Sequence, residues 1–263
     1  MDDISLEGSD DFRKKLVGDG LHLMGREPQN RIAWEHVAIS TFMQKTVISA
    51  EPYLPESRTL PVLRKAVQEC RGCDLYRNAT QAVFGEIEEK PKAGQRGVAV
   101  MMIGEQPGDR EDIEGRPFVG PAGKLLDQCL EEANIERSQV YVTNAVKHFK
   151  WEPRGKRRIH EKPTMREIKA CRPWLDAEME VVAPKLIVCL GATAAQALLG
   201  SSFKVTKQRG TLQHVEGLAP ILATVHPSSI LRAQTDADRQ QEMASFVADL
   251  KRVSKYLKET AGS

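Results

Sequence analysis

Four short stretches of the chain are almost wholly apolar: residues 97–104 (GVAVMMIG), 140–146, 185–190 and 221–225. Runs of this length that lack polar alternation predict strands buried on both faces, as in a parallel sheet. Around them, helical spacing of apolar positions predicts helices over residues 60–70 (Leu63, Ala66 and Val67), 124–133 and 165–182, a short one ending at Gly200, and one over 237–257. Strands alternating with helices predict an α/β fold with a central parallel four-stranded sheet flanked by helices on both faces. In such sheets ligands bind beyond the carboxyl ends of the strands. Glu105 after the first strand, Asn144 near the end of the second and His226 after the last all stand there. Their shared placement is the first physical sign of an active site.

Residues 1–58 carry no readable motif. Their pattern predicts two helical pieces (10–16 and 32–46) and a break at 51–55 (EPYLP), and they are taken as an N-terminal extension to a domain over 59–263. There are no repeats and no low-complexity tracts. The 263 residues are 41% apolar and 28% charged, the balance of a soluble globular protein. No apolar run approaches the roughly 20 residues of a membrane span. The acidic N-terminus lacks the apolar core of a signal peptide, so a cytoplasmic protein is expected, acting as a monomer and away from membranes.

A net charge of +2 does not announce a nucleic-acid partner, but its distribution is uneven. Residues 150–172 hold nine Lys and Arg against three Asp and Glu. Such a run is either a solvated face or a phosphate-binding edge. The five cysteines, an odd count, argue against a disulfide framework and leave metal or cluster binding open.

Gly104-Glu105-Gln106-Pro107-Gly108 follows the first strand and leads into GRPFVGPAGK over 115–124. A glycine-rich loop entering a helix can cradle an anion, or can be a plain tight turn. It is neither a phosphate-binding Walker loop nor a dinucleotide fingerprint, because the spacings differ. Taken in order, GEQPG, GRPFVGPAGKLLD, Asn144 in VTNAVKH, PKLIVCLGATAAQALLG and HPSSILR resemble the uracil-DNA glycosylase superfamily, over about residues 60–232. The resemblance implies the α/β/α sandwich of that family. Cys70-x-x-Cys73 with a later Cys171 resembles its iron–sulfur branch. Where ordinary members of that branch have a further cysteine, this chain has His148, and the loop sequence Lys156-Arg157-Arg158-Ile159-His160 matches the KRRIH signature of the group called UdgX.

What the resemblance implies can be stated residue by residue. Cys70, Cys73, His148 and Cys171 are expected to hold a 4Fe-4S cluster of structural role, although His148 alone would read as a surface histidine. Cys129 and Cys189 are assigned to packing. Gly104, Gln106, Asp109, Phe118, Asn144 and His226 are expected around a flipped uracil, with Phe118 stacking on the ring unless it is simply a core aromatic. Gln106 and Asp109 are near enough in sequence to bear on the exclusion of thymine. His226 is expected to stabilise the departing base. Ser228 and Ser229, otherwise a helix cap, are expected at phosphates beside Lys156, Arg157 and Arg158, with Ile230 or Leu231 as a wedge. His160, oriented by Glu105, is expected to attack C1′ of the sugar and stay bonded, a single-turnover capture of uracil-containing DNA that releases free uracil. Two other readings stand beside it: a multi-turnover glycosylase that uses water, and an iron–sulfur module that binds DNA without cutting a bond.

Overall fold

The computed structural model describes residues 48–87 and 98–261, so both helical pieces expected within 1–46 lie outside the described residues. Residues 48–58, counted with the extension on sequence grounds, pack against the domain: Ala50 is buried and its N–H donates to Ala170 O at 2.7 Å.

Among the described residues the strands are β1 (Glu86–Ile87), β2 (Val100–Gly104), β3 (Val140–Asn144), β4 (Trp151–Arg154), β5 (Arg157–His160), β6 (Leu186–Leu190), β7 (Leu212–Gln213) and β8 (Ile221–Thr224). Six form one sheet in the order β1-β3-β2-β6-β8-β7. The four inner strands are the expected parallel set, and each is buried along its whole length. Two antiparallel edge strands of two residues each were not foreseen, being too short to leave a period.

The helices are α1 (Leu60–Ala66), α2 (Asp109–Glu114), α3 (Pro121–Glu132), α4 (Met165–Val182), α5 (Ala192–Leu199), α6 (Val205–Gln208), α7 (Pro227–Leu231) and α8 (Asp236–Ala261). Alternate residues of β2 feed opposite layers. Val100 and Met102 pack with Leu126, Leu130, Phe246 and Leu250 of α3 and α8, and Met101 and Ile103 with Leu175, Ala194 and Leu198 of α4 and α5. A third apolar cluster joins Leu63, Val67 and Phe84 to Ile168 and Trp174 of α4, and it contains Cys70, Cys73 and Cys171.

The basic segment expected as a loop is an antiparallel hairpin, β4–β5, pairing Trp151 with His160 and Arg154 with Arg157. Its two-residue turn is Gly155-Lys156, with Gly155 at φ +61°. Glycine at the first of two turn positions suits the right-handed twist of a hairpin. No described helix is long and apolar enough to cross a membrane.

Candidate active site

Parallel register sets the site. Gly104 lies beside Asn144 at the carboxyl ends of β2 and β3. A Cβ on Gly104 would stand 2.3 Å from Asn144 Oδ1 and 2.9 Å from Phe118 Cζ, so this approach requires glycine. Phe118 itself has φ +58°, a strained conformation for an aromatic residue, and its carbonyl lies where a Cβ of Gly123 would be, 1.5 Å away. Gly123, near the start of α3, therefore lets the loop fold back and bring the Phe118 ring to the cleft. The ring is buried and lies 5.9 Å from the His226 ring at an interplanar angle of 27°. Phe118 packs in the core and also lines the cleft.

His226 stands two residues after β8 and caps α7, its Nδ1 accepting the Ser228 N–H at 3.2 Å, with Ser228 Oγ 2.8 Å away. Burial pushes its pKa down to about 4, so the ring is neutral at pH 7. With Nδ1 accepting, Nε2 carries the proton. Asn144 is buried, and its Nδ2 makes no hydrogen bond within the protein. A buried amide donor without a partner costs roughly 1–3 kcal/mol, which a ligand oxygen would recover.

Glu105 follows β2. One carboxylate oxygen lies 3.3 Å from His160 Nε2, and the other accepts from the Thr193 hydroxyl of α5. Burial alone would raise the Glu105 pKa, but the hydrogen bonds from His160 and Thr193 hold it below its ordinary value. His160, the last residue of β5, is half exposed. Glu105, Phe118, Asn144, His160, His226, Ser228 and Ser229 all line one cleft of about 680 Å³. That volume is in the range of sites for small organic ligands.

Gln106 and Asp109 also line the cleft, and both have partners on or beside the hairpin. The Gln106 amide is engaged by the hairpin backbone. Asp109, at the start of α2, pairs with Arg158 at 2.6 Å. The Arg158 guanidinium also pairs with buried Asp112 at 2.6 Å and packs over the rings of Phe149 and Trp151. Thr80 N–H and Oγ1 close on the same Asp112 carboxylate, at 2.9 and 2.6 Å. Arg158 thus latches the hairpin to α2, whereas Lys156 and Arg157 are exposed. Of the two wedge residues, Ile230 is buried and Leu231 exposed.

Sequence reasoning missed Glu111. Its carboxylate accepts the Gly108 N–H at 3.2 Å, capping α2, and lines the cleft beside the Asn144 amide without completing a hydrogen bond to Nδ2. Burial raises its pKa to about 7. The available signal was a glutamate three residues after Gly108, the capping-box spacing.

Among the described residues no three His, Cys, Asp or Glu side chains converge on a single-ion site. A four-iron cluster does not need such convergence, because each ligand binds its own iron at a separate corner. Cys70, Cys73, His148 and Cys171 are all buried. Burial raises the Cys171 thiol to about 12, with the charges of Cys73 and Cys70 adding to the rise, so the three sulfurs are electrostatic neighbours. Lys147 N–H points at Cys171 Sγ, 3.3 Å away. Burial lowers His148 to about 4, keeping its imidazole in the neutral form that a metal requires. By donor chemistry alone, three thiols of one apolar cluster and a neutral imidazole suit an iron–sulfur cluster.

Residues 91–251 match the family profile described as Uracil DNA glycosylase superfamily. The chain is 35% identical over 202 residues to a Type-4 uracil-DNA glycosylase of Thermotoga maritima, covering 76% of this chain and 95% of that protein. A Type-4 uracil-DNA glycosylase of Sulfurisphaera tokodaii is 38% identical over 181 residues, 66% of this chain and 76% of that one. A DNA polymerase of Bacillus phage SP01 is 32% identical over 150 residues, 56% of this chain but 15% of the polymerase.

Proposed function

The chain belongs to the uracil-DNA glycosylase superfamily, and from that premise we propose that it excises uracil from DNA and is then held on the DNA by a covalent bond from His160. The target nucleotide must leave the base stack to reach the cleft. The unpartnered Asn144 Nδ2 suits uracil O4, and Oδ1 suits N3–H. Cytosine reverses both polarities, so it would leave the amide mismatched. Phe118 supplies an apolar face. With His226 at the O2 edge and Asn144 at N3 and O4, Glu111 beside Asn144 faces the C5 edge, where thymine carries its methyl group.

When the bond from C1′ to N1 breaks, its electron pair leaves with the base and negative charge spreads to O2. Neutral His226 offers its Nε2–H there, an interaction worth roughly 3–4 kcal/mol in comparable sites. The uracil anion takes a proton from solvent. The oxocarbenium-like sugar is then open to water or to His160. With one ring nitrogen donating to Glu105, the imidazole lone pair is on the other. Its bond to C1′ makes an imidazolium whose charge lies next to ionised Glu105. Such an adduct has no good route to hydrolysis, so the reaction ends after one turnover, as in the UdgX group. The carrying observation is the 3.3 Å His160–Glu105 contact in the wall of the cleft that also holds Asn144 and His226.

Cys70, Cys73, His148 and Cys171 would hold the 4Fe-4S cluster, which when bound supplies a cross-link between the segment before β1, the chain entering the hairpin, and α4. Lys156, Arg157, Ser228 and Ser229 would meet backbone phosphates, and Leu231 would fill the gap left by the flipped base.

The test is a denaturing gel. Incubation with single-stranded DNA carrying one uracil is expected to give a protein–DNA band that survives SDS and heat. Free abasic DNA in molar excess over the protein, with no such band, would establish water as the nucleophile.

A further inference from the structure

The Glu105 carboxylate is held from two sides. One oxygen faces His160 Nε2 at 3.3 Å, and the other accepts a hydrogen bond from the Thr193 hydroxyl. The two supports differ in rigidity. His160 ends a hairpin whose strands are mostly exposed, and a two-stranded hairpin is marginal on its own in water. Thr193 is second in α5 and only 2% exposed. Ala194, Ala195 and Leu198 of the same helix pack in one apolar cluster with Met101 and Ile103 of β2 and Cys189 of β6. The turn from β6 into α5 fixes where the threonine stands. Gly191 takes φ +94° there and donates its N–H to Thr224 O at 2.8 Å, and a Cβ on it would lie 3.2 Å from His226 Cβ.

We infer that Thr193 is a positioning residue: its hydroxyl pins one Glu105 oxygen so that the other stays turned to the His160 imidazole. The inference rests on the reading of His160 as nucleophile. A glutamate side chain is flexible, and a contact to a half-exposed histidine alone would leave both partners free to turn. With one oxygen tied to a buried helix, the carboxylate presents the other in a single direction. A hydroxyl that donates to a carboxylate also favours its charged form. Burial disfavours the charge on Glu105, and the bonds from His160 and Thr193 outweigh that cost. Thr193 lies in the first turn of α5, whose positive end suits a carboxylate as well. The oriented carboxylate keeps the proton on the ring nitrogen that faces it and leaves the lone pair on the other, for C1′. Precision matters because His160 competes with water for a short-lived cation, and a displacement of about 1 Å can cost on the order of 100-fold in such a step. Thr193 thereby sets how much of the cleaved DNA is captured.

The experiment compares wild type, Thr193→Val and Thr193→Ser as full-length protein on uracil-containing single-stranded DNA under single-turnover conditions. Adduct and free abasic product are counted per uracil released, so a change in the rate of bond breaking does not enter their ratio. Valine keeps the volume and removes the hydroxyl, whereas serine keeps the hydroxyl and removes the methyl group. The adduct-to-product ratio is expected to fall about tenfold in Thr193→Val, the scale of losing a hydrogen bond to a charged group, and to stay within about twofold of wild type in Thr193→Ser. A packing role would reverse that order, since serine leaves the larger void. Nitrogen-15 spectra of the His160 ring, assigned by the signals that vanish in His160→Ser, should show a single neutral tautomer in wild type and a mixture in Thr193→Val. An unchanged ratio in Thr193→Val, or a loss in Thr193→Ser as large as in Thr193→Val, overturns the inference. If wild type releases uracil with no adduct, the His160 reading fails, and the tautomer spectra still decide the role of Thr193. A mixture confined to Thr193→Val upholds it, and a single tautomer in all three proteins overturns it.

Discussion

Lys147 and Glu178 form an ion pair in which neither side chain has any exposed surface. Glu178 also accepts from Gly85 N–H at 2.9 Å and from Tyr141 Oη at 2.9 Å, while Lys147 Nζ donates to Asn144 O at 2.7 Å. The Lys147 backbone N–H meets Cys171 Sγ, so a single residue touches both the end of β3 at Asn144 and a proposed cluster ligand. Removing the lysine alone leaves a buried carboxylate uncompensated, which costs roughly 3–5 kcal/mol, whereas exchanging both partners for apolar groups can be near neutral. Lys147→Met is therefore expected to lower the urea midpoint sharply, and Lys147→Met with Glu178→Leu to recover a large part of the loss. Equal loss in the single and double variants would show that the charge pair is not what matters.

His160→Ser removes the ring nitrogen but keeps the cleft, which is lined mainly by other elements. The SDS-resistant band should vanish, and uracil release should continue beyond one equivalent as water takes over. A variant that loses both adduct and release would show that His160 is needed for bond breaking itself, not only for capture.

Glu111 makes a prediction with a sign. Its carboxyl titrates at about 7 in the folded protein because burial disfavours the charged form, against an ordinary value of 4.5. The folded state thus binds the proton more tightly. The associated stability is complete below about pH 4.5 and is lost as pH rises through about 7. Glu111→Gln should match wild type near pH 5 and exceed it at pH 8, by on the order of 2 kcal/mol. Thermal unfolding at the two pH values reads this directly. Glu111→Ala should in addition admit thymine opposite guanine, since one methyl group in a pocket is worth roughly 10–200-fold in discrimination. Unchanged rejection of thymine would place the methyl group against another wall.

The inner sheet was legible because its four strands are short and almost wholly apolar, as burial on both faces requires. Glu105, Asn144 and His226 could be found from the same pattern, since parallel strands deliver their carboxyl ends to one edge. The hairpin was not legible. WEPR and RRIH each carry a single apolar residue, so neither shows the alternation that marks a half-buried strand, and only Gly155-Lys156 hinted at a turn. The roles of Gln106, Asp109 and Arg158 were hidden for the same reason: their partners lie on that hairpin or on the six-residue α2, and spacing along the chain does not encode contacts between the two. Glu111 was missed because a helix-capping glutamate looks alike whether or not its carboxyl also lines a cleft.

The basic hairpin can be divided by salt dependence. Each Lys or Arg that neutralises a phosphate releases condensed counterions, so removing one contact should flatten the plot of log affinity against log salt by about 0.7 for single strands. Lys156 and Arg157 are exposed at the turn, and replacing both by alanine is expected to reduce the slope by roughly 1.4 on that basis. Arg158 should behave differently. Its guanidinium is already paired with two carboxylates and covered by two aromatic rings, so little of its charge is free for a phosphate. Arg158→Ala should leave the slope nearly unchanged, lower the adduct yield and destabilise the protein, because Asp112 would be left buried without its cation. Filter binding across a salt series, with the capture-deficient His160→Ser protein as background so that binding stays reversible, separates the two classes. If Arg158→Ala flattens the slope as much as Arg157→Ala, the guanidinium reaches DNA in the complex, and the latch to α2 must open when DNA binds.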